Sequence, residues 1–335
     1  MGQKVEVLAP AGNLPSLRAA VDHGADAVYF GFRNATNARN FEGLNFSLND
    51  AKAGIAYAHS HGVRANVVLN TFPQADDPSL WFQTVDETAA LGADAIIIAN
   101  LSLLDYCHAK HPQLPIHLSV QASASNAPAI NFYQRHFDIA RVILPRVLTV
   151  AEIRALKERT TVDLEVFAFG GLCVMAEGRC YLSSFATGVS PNIEGVCSPA
   201  RAVRFENTGE RLRTRLGDIL IADYGAHEEA AYPTICKGRF QANDQVYHVM
   251  EEPGSLNILE MLPEVIESGV VSLKIEGRQR TKSYVATVTR VLRQAVDSYY
   301  ADPPGFRPKG KWLKELNAIS EGTTHTLGTY EERWQ

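Results

Sequence analysis

Four cysteines in the second half of the chain are the residues best suited to chemistry. They are Cys173, Cys180, Cys197 and Cys236, and no two of them have the Cys-x-x-Cys spacing of a zinc ribbon or a bacterial ferredoxin. Four thiolates can bind either a [4Fe–4S] cluster or a structural zinc ion. The alternative is that they are unrelated core residues, because a free cysteine often packs as a small hydrophobe. The fifth cysteine, Cys107, follows an apolar helical segment and is predicted to be a core residue.

Polar side chains also collect at predicted strand ends and in the cysteine-rich segment. Lys274 and Glu276 lie two positions apart on a predicted strand, which places them on the same face. They are predicted either to act in catalysis or to form a structural ion pair. Arginine can hold a carboxylate through two hydrogen bonds, so a further set is predicted to bind a small anionic substrate, with an ordinary surface role as the alternative. This set is Arg39, Asn45, Asn70, Gln121, Arg146, Arg201, Arg239 and Arg278.

Short apolar strands alternate with amphipathic helices along most of the chain. Eight strands are predicted, at Val5–Ala9, Asp26–Gly31, Val63–Thr71, Asp94–Ala99, Pro115–Ser119, Ile139–Leu144, Val162–Phe169 and Val270–Glu276. This alternation predicts an α/β fold, a (β/α)8 TIM-like barrel. An open doubly wound sheet is the alternative, but no Gly-x-Gly-x-x-Gly turn follows the first strand. In a barrel the loops after the strands share one face, where active sites lie.

The alternation is interrupted once, after the seventh strand. Gly170-Gly171 is predicted to end that strand in a turn, and residues 170–254 form an insertion that carries the four clustered cysteines. Residues 1–300 are predicted to form the barrel with this insertion, and residues 301–335 a C-terminal linker and tail. Asn49-Asp50 is predicted to cap one helix, and Thr149 with Glu152 forms a capping box for another.

Charge and composition limit the functions that are open to the chain. There are 32 Lys and Arg against 37 Asp and Glu, a net charge of −5, which argues against nucleic acid as a stable partner. The N-terminus lacks the apolar core of a signal peptide, and no apolar run is long enough to span a membrane. The chain is therefore expected to be a soluble cytoplasmic protein. In that reducing compartment, clustered cysteines are more often ligands than disulfides.

The segment around the first two clustered cysteines resembles the signature of peptidase family U32. It reads Glu165-x-Phe-x-x-Gly-Gly-Leu-Cys173-x-x-x-x-Gly-x-Cys180-x-Leu-Ser183, with Gly171 where the family usually has Ser or Ala. The segments 10–15, 119–123 and 274–280 narrow the likeness to the branch of the family that acts in ubiquinone biosynthesis, the UbiU-like proteins.

This resemblance implies a cofactor, an activity and partners that residue spacing alone does not. It implies a [4Fe–4S] cluster with Cys173, Cys180, Cys197 and Cys236 as its ligands. It also implies a heterodimer with a UbiV-like paralogue that hydroxylates the ubiquinone ring without oxygen during anaerobic growth. Prephenate is the implied oxygen donor, and a lipid-carrier protein that delivers the quinone precursor is a further expected partner. The family's peptidase name has no support in the sequence, which lacks a zinc, serine or aspartic protease constellation.

Two other functions stay open. The first is hydroxylation of tRNA or rRNA by another branch of the same family, which the acidic charge of this chain disfavours. The second is a non-catalytic scaffold whose cysteines hold a structural metal.

Overall fold

Alternating strands and helices make up most of the computed structural model, which describes residues 4–40, 43–73, 77–320, 322 and 324–332. The strands are β1 (Glu6–Pro10), β2 (Ala27–Phe30), β3 (Arg64–Leu69), β4 (Ala95–Ile98), β5 (Ile116–Leu118), β6 (Arg141–Ile143), β7 (Asp163–Gly171), β8 (Val203–Asn207), β9 (Arg211–Leu216), β10 (Ile219–Gly225), β11 (Arg239–Ala242), β12 (Gln245–His248), β13 (Gly254–Asn257), β14 (Ser272–Ile275) and β15 (Thr324–Thr326). The helices are α1 (Leu14–Asp22), α2 (Leu48–Ser60), α3 (Ser79–Ala90), α4 (Leu101–Lys110), α5 (Ala127–Phe137), α6 (Val150–Lys157), α7 (Ser184–Thr187), α8 (Pro191–Glu194), α9 (Leu262–Glu267), α10 (Lys282–Ala301) and α11 (Gly310–Asn317).

Eight parallel strands close into a barrel. Strands β1 to β7 pair in sequence order, and β14 pairs with both β1 and β7. Closure is visible in the register, where Ser272 lies beside Glu6 on one side and Glu165 on the other. The predicted (β/α)8 barrel is therefore confirmed, and each predicted strand overlaps an observed one.

Burial and capping explain why these segments form these elements. All four residues of β4 are buried, as expected for a strand between the barrel interior and the outer helices. Helix α10 buries one side of its amphipathic sequence, including Val285, Val288 and Leu292. The predicted capping box of Thr149 is confirmed for α6. The predicted Asn49-Asp50 cap of α2 is wrong, because Ser47 is the N-cap and Asp50 completes its capping box.

Strand β7 continues where a turn was predicted. Gly170 and Gly171 belong to the strand and pair in antiparallel fashion with Leu256 and Ser255 of β13. Gly170 has a φ of +124°, and a Cβ atom there would lie 2.7 Å from Cβ of Glu276. Only glycine adopts this conformation without strain, so the pair redirects the strand past the barrel instead of ending it.

The chain between β7 and β13 forms the insertion that carries the clustered cysteines. It contains the short helices α7 and α8, an antiparallel sheet in the order β10-β9-β8, and the β11–β12 hairpin. The predicted domain limits at residues 1–3 and 333–335 lie outside the described residues.

The residues after α10 fold back onto the barrel. Strand β15 pairs with β13. The Tyr330 hydroxyl donates a hydrogen bond to the Phe167 carbonyl at 2.7 Å, and the Thr329 hydroxyl donates to the Arg146 carbonyl at 2.9 Å. The C-terminal segment thus packs at the carboxyl ends of the barrel strands. None of the helices in the described ranges combines the length and the apolar character that crossing a bilayer requires.

Candidate functional site

Arg278 lies across the carboxyl end of β1, at the mouth of the barrel. It follows β14; its backbone carbonyl packs against Gly12, and its side chain reaches Gly31, the residue after β2. A Cβ atom on Gly31 would lie 2.9 Å from Nη1 of Arg278 and 2.6 Å from the side chain of Asn37. The missing side chains at positions 12 and 31 therefore make room for this arginine.

The charge of Arg278 is buried and has no carboxylate partner among the described residues. Arg278 is 6% exposed, and its Nη1 donates to Oδ1 of Asn37 at 2.6 Å. Its guanidinium carbon lies 5.9 Å from the centre of the Tyr29 ring. Burial lowers the pKa of Arg278 to about 10; the positive charge of Arg39 acts in the same direction, while Tyr29 and Glu276 act against it.

Arg39, Asn45 and Asn70 organise the loop between β2 and α2 around the same mouth. Nη1 of Arg39 donates to the Gly195 carbonyl at 2.9 Å, which ties the loop to the insertion two residues before Cys197. Nδ2 of Asn45 donates to the Arg39 carbonyl at 2.6 Å, while its buried Oδ1 has no hydrogen-bond partner among the described residues. Oδ1 of Asn70 accepts from the amide after Asn37 at 3.1 Å.

Gln121 lies across the mouth in a short 3-10 turn after β5. Its Oε1 is buried without a hydrogen-bond partner among the described residues. Its backbone carbonyl packs against Gly178, between the first two clustered cysteines, where a side chain would collide with it. Buried acceptors without partners are uncommon in folded proteins, so Gln121 and Asn45 are places where a ligand could donate a hydrogen bond.

Arg146 holds the cysteine segment against the barrel. Its guanidinium contacts the Glu177 carboxylate at 2.8 Å, donates to the Gly171 carbonyl, and lies 4.2 Å from the centre of the Phe167 ring. Burial opposes its charge, but Glu177, Cys173 and Glu276 together outweigh burial and raise the pKa of Arg146. This arginine was predicted to bind substrate, yet its side chain already has partners in the protein.

The other two predicted arginines, Arg201 and Arg239, lie on the insertion, and each has a carboxylate partner there. Arg201 is 64% exposed in its side chain and lies 3.9 Å from Glu194. Arg239 pairs with Glu228 at 3.0 Å on strand β11. Both have the contacts of surface residues.

Lys274 and Glu276 do not pair with each other. Nζ of Lys274 donates to Oε1 of Glu165 at 2.8 Å inside the barrel and lies 3.9 Å from the centre of the Tyr29 ring. Glu276 follows the end of β14, and its Oε2 accepts from the Gly171 amide at 3.2 Å. The predicted ion pair between these two residues is wrong, because Lys274 pairs with Glu165 of β7 inside the barrel, whereas Glu276 lies beyond the end of β14 and contacts the Gly171 amide.

The barrel interior contains an ionic network that sequence reasoning missed. Nη1 of Arg141 donates to Glu6 at 2.7 Å and to Glu165 at 3.0 Å, and the Ser272 hydroxyl donates to Glu6 at 2.9 Å. Burial disfavours the charge of Glu165, but Lys274 and Arg141 outweigh it and lower the pKa of Glu165 to about 2. The sequence did contain one signal for this network, namely single charged residues within otherwise apolar strands.

The four clustered cysteines lie on neighbouring segments of the insertion. Cys173, Cys180 and Cys236 are partly buried, whereas Cys197 is exposed. Burial raises the pKa of the Cys173 thiol to about 12 and raises those of Cys180 and Cys236, and the charge of Cys197 acts in the same direction on all three. Cys107, predicted to be a core residue, is fully buried.

The donor chemistry of these residues fits an iron–sulfur cluster. Such clusters are held by four cysteine thiolates, and the insertion carries four free cysteines. No group of three or more His, Cys, Asp or Glu side chains in the described part of the chain is gathered closely enough to hold a metal ion. Since ligation requires thiolates, loading of a cluster would release protons from these thiols.

A cavity of about 180 Å³ opens beside Cys173. Arg146 and Leu172 line it on the barrel side, and Thr326 and Thr329 line it on the side of the C-terminal segment. Cys173 therefore shares this cavity with Arg146 and with residues of the C-terminal segment.

Comparison with known proteins identifies the family. The model of "Peptidase family U32" matches residues 12–333. The "tRNA hydroxylation protein P1" of Bacillus subtilis (strain 168) is 32% identical over 336 residues, which cover 99% of this chain and 73% of the relative. The "23S rRNA 5-hydroxycytidine C2501 synthase" of Escherichia coli (strain K12) is 29% identical over 298 residues, covering 88% of this chain and 40% of the relative.

One solved structure, of "the U32 Peptidase Mk0906", is 14% identical with a TM-score of 0.41, over 50% of this chain and 70% of that one. The family model spans nearly the whole sequence, and the match to the Bacillus relative covers 99% of this chain. This chain therefore belongs to peptidase family U32.

Proposed function

We propose that this chain is the iron–sulfur subunit of an oxygen-independent hydroxylase, with Cys173, Cys180, Cys197 and Cys236 as the ligands of a [4Fe–4S] cluster. The observation that supports this most is the position of the four-thiol insertion against the barrel mouth, where Arg39 contacts Gly195. The relatives support an enzyme of this kind, because their names describe hydroxylation.

The substrate that we propose is the ring of a ubiquinone precursor, with prephenate as the oxygen donor. The enzyme works in the cytoplasm as a heterodimer with a UbiV-like paralogue, and a lipid-carrier protein delivers the precursor. The sequence motifs of the ubiquinone branch and the net charge of −5 support this choice over RNA.

Hydroxylation of RNA is the second candidate. It is favoured by the names of the relatives, two of which act on tRNA and rRNA respectively. Those relatives share the barrel and the insertion with this chain over 73% and 40% of their own lengths.

The residues of this chain would have separate tasks in such a reaction. A [4Fe–4S] cluster, when bound, supplies electron transfer. Arg146 fixes the segment that carries Cys173 and Cys180 through its contacts with Glu177 and Gly171. The mouth of the barrel binds and orients the reactants, as in other barrels of this type.

Metal analysis of the anaerobically purified chain tests the cofactor. We expect about four irons per chain and broad visible absorbance, as one [4Fe–4S] cluster requires. Zinc without iron would contradict the proposal and favour the scaffold.

A deletion strain grown without oxygen then separates the substrates. Loss of ubiquinone with normal RNA hydroxylation supports the quinone pathway, and the reverse result supports RNA. A Cys197→Ser variant that restores the pathway while lacking iron would show that the cluster is not required.

A further inference from the structure

A serine, a histidine and an asparagine form a hydrogen-bonded chain where the C-terminal segment meets the barrel. Nε2 of His325 on β15 contacts the Ser320 hydroxyl, and Nδ1 of His325 lies 3.0 Å from Nδ2 of Asn257 at the end of β13. The His325 ring also meets the buried Phe169 ring edge-on, with 5.9 Å between the ring centres. These three polar side chains, the His325 network, connect the residues after α11 to the strand that pairs with β7.

The backbone fixes the direction of each hydrogen bond in the His325 network. The Leu259 amide donates to Oδ1 of Asn257 at 3.1 Å, so the side of Asn257 that faces His325 is Nδ2, which can only donate. Nδ1 of His325 must therefore accept, and the ring proton lies on Nε2, which donates to Ser320. The Ser320 hydroxyl donates in turn to the Leu316 carbonyl at 2.8 Å.

These directions exclude Ser320 as a hydrolytic nucleophile. In a serine hydrolase, Nε2 of the histidine carries no proton and takes one from the serine, while a side-chain oxygen accepts from Nδ1–H. Both directions are reversed in the His325 network. The network therefore holds the chain together and does not activate the serine.

Only a neutral imidazole satisfies this network. A proton on Nδ1 of His325 would point at the N–H of Asn257. Turning the amide of Asn257 over would instead set its Nδ2 against the amide of Leu259, a fully buried residue. Either arrangement loses a hydrogen bond and leaves a buried donor without an acceptor, which costs about 1–3 kcal/mol.

The charges around the ring do not remove this preference. Burial lowers the pKa of His325, and the negative charge of Glu260, in the turn after β13, acts against burial. Arg280 donates to the Ile319 carbonyl, next to Ser320, at 2.8 Å. Because the pKa is lower in the folded state, the stability that the network contributes is complete above about pH 6.5 and is lost as the pH falls below that value.

We propose that His325 is a pH-sensitive latch, which holds the C-terminal wall of the cavity beside Cys173 in place while its ring is neutral. The residues of that wall are Thr326, Gly328, Thr329 and Glu332. A Cβ atom on Gly328 would lie 2.8 Å from Cδ1 of Leu172, so the wall packs directly on the residue before Cys173. Protonation of His325 loosens β15 and exposes this cavity to solvent. The latch is independent of the hydroxylase function proposed above.

Hydrogen–deuterium exchange of the anaerobically purified full chain tests the latch. Exchange is measured at about pH 7.5 and about pH 5.5 and is corrected for the intrinsic effect of pH on amide exchange. Each pKa unit between the folded and unfolded states corresponds to a tenfold effect, so we expect the protection of residues 324–332 to fall about threefold or more at the lower pH. Strand β4, in the buried barrel wall, is the internal reference and should keep its protection.

Two variants predict different responses to pH. In Asn257→Asp, the carboxylate can accept from both the Leu259 amide and a protonated His325, so the protection of residues 324–332 should stay the same or rise at the lower pH. His325→Gln cannot titrate, so its protection should be equal at the two pH values. His59→Gln is the matched control, because His59 is an exposed histidine that contacts Asp94 on another part of the barrel, and it should respond as wild type does.

Three results would overturn the latch. The first is equal protection of residues 324–332 at both pH values in wild type. The second is a wild-type response in Asn257→Asp or in His325→Gln. The third is an equal loss of protection in β4, which would show that acid destabilises the whole barrel. If Asn257→Asp does not fold, wild type, His325→Gln and His59→Gln still decide between the latch and its absence.

Discussion

Replacement of Glu165 by glutamine tests the ionic network inside the barrel. Glu165 is fully buried and accepts hydrogen bonds from Lys274 at 2.8 Å and Arg141 at 3.0 Å. Glutamine has nearly the same shape but no charge, so Glu165→Gln leaves two buried cations with Glu6 as their remaining buried carboxylate. We expect the free energy of unfolding to fall markedly.

Two independent estimates give the magnitude. Removing one partner of a buried ion pair costs about 3–5 kcal/mol. The folded protein lowers the pKa of Glu165 from 4.5 to about 2, which corresponds to about 3 kcal/mol of stability at neutral pH. Because the pKa is lower in the folded state, this stability is present above pH 4.5 and is lost as the pH falls toward 2.

Urea denaturation followed by far-ultraviolet circular dichroism measures the effect. At neutral pH, Glu165→Gln should unfold at a lower urea concentration with an unchanged slope, and it should lose less stability than wild type on acidification. Glu158→Gln is the control, since Glu158 is exposed at the end of α6. The reasoning would be refuted if Glu165→Gln lowered the free energy of unfolding by less than about 1 kcal/mol, or if wild type and Glu165→Gln lost the same stability on acidification.

Three further predictions concern the mouth and the insertion. Gly170→Ala should lower the Tm by several degrees, because a Cβ atom would meet Glu276 at 2.7 Å and φ is +124°; an unchanged Tm would contradict this. Cys197→Ser should reduce the iron content per chain while the protein stays folded. Cys107→Ala should lower the free energy of unfolding by about 1 kcal/mol or more and keep the iron. A colorimetric iron assay and thermal unfolding check both variants. Lysine lacks the planar guanidinium, so in Arg146→Lys the side chain cannot contact both Glu177 and Gly171. Limited proteolysis should therefore cleave the cysteine segment faster than in wild type, and equal cleavage rates would argue against the anchoring role.

The barrel could be predicted from sequence because its strands have a simple pattern. Segments such as Ala95–Ile98 are buried on both faces and read as continuous apolar runs. Strand ends also identified the mouth, because all parallel strands of a barrel end on one face. That rule placed Arg39, Asn45, Asn70 and Arg278 in one region.

The pairing of charges could not be predicted, because it depends on register and on contacts between distant segments. Glu6 and Arg141 are separated by 135 residues. Lys274 likewise pairs with Glu165, which lies 109 residues away in sequence on the neighbouring strand, and not with Glu276 two positions along its own segment. The Gly170-Gly171 pair is ambiguous for a related reason, since glycine suits a turn and a strand distortion equally well.

The C-terminal contacts have a consequence for the order of assembly. Strand β1 pairs with β14, which begins at residue 272, so the barrel can close only after that residue has been synthesised. Thr329 and Tyr330 then bond to the backbone beside Arg146 and β7, next to the segment that carries Cys173. One wall of the cavity beside the first thiol is thus supplied by residues that leave the ribosome long after Cys173. Insertion of a metal cluster before that point would meet an open, water-filled site.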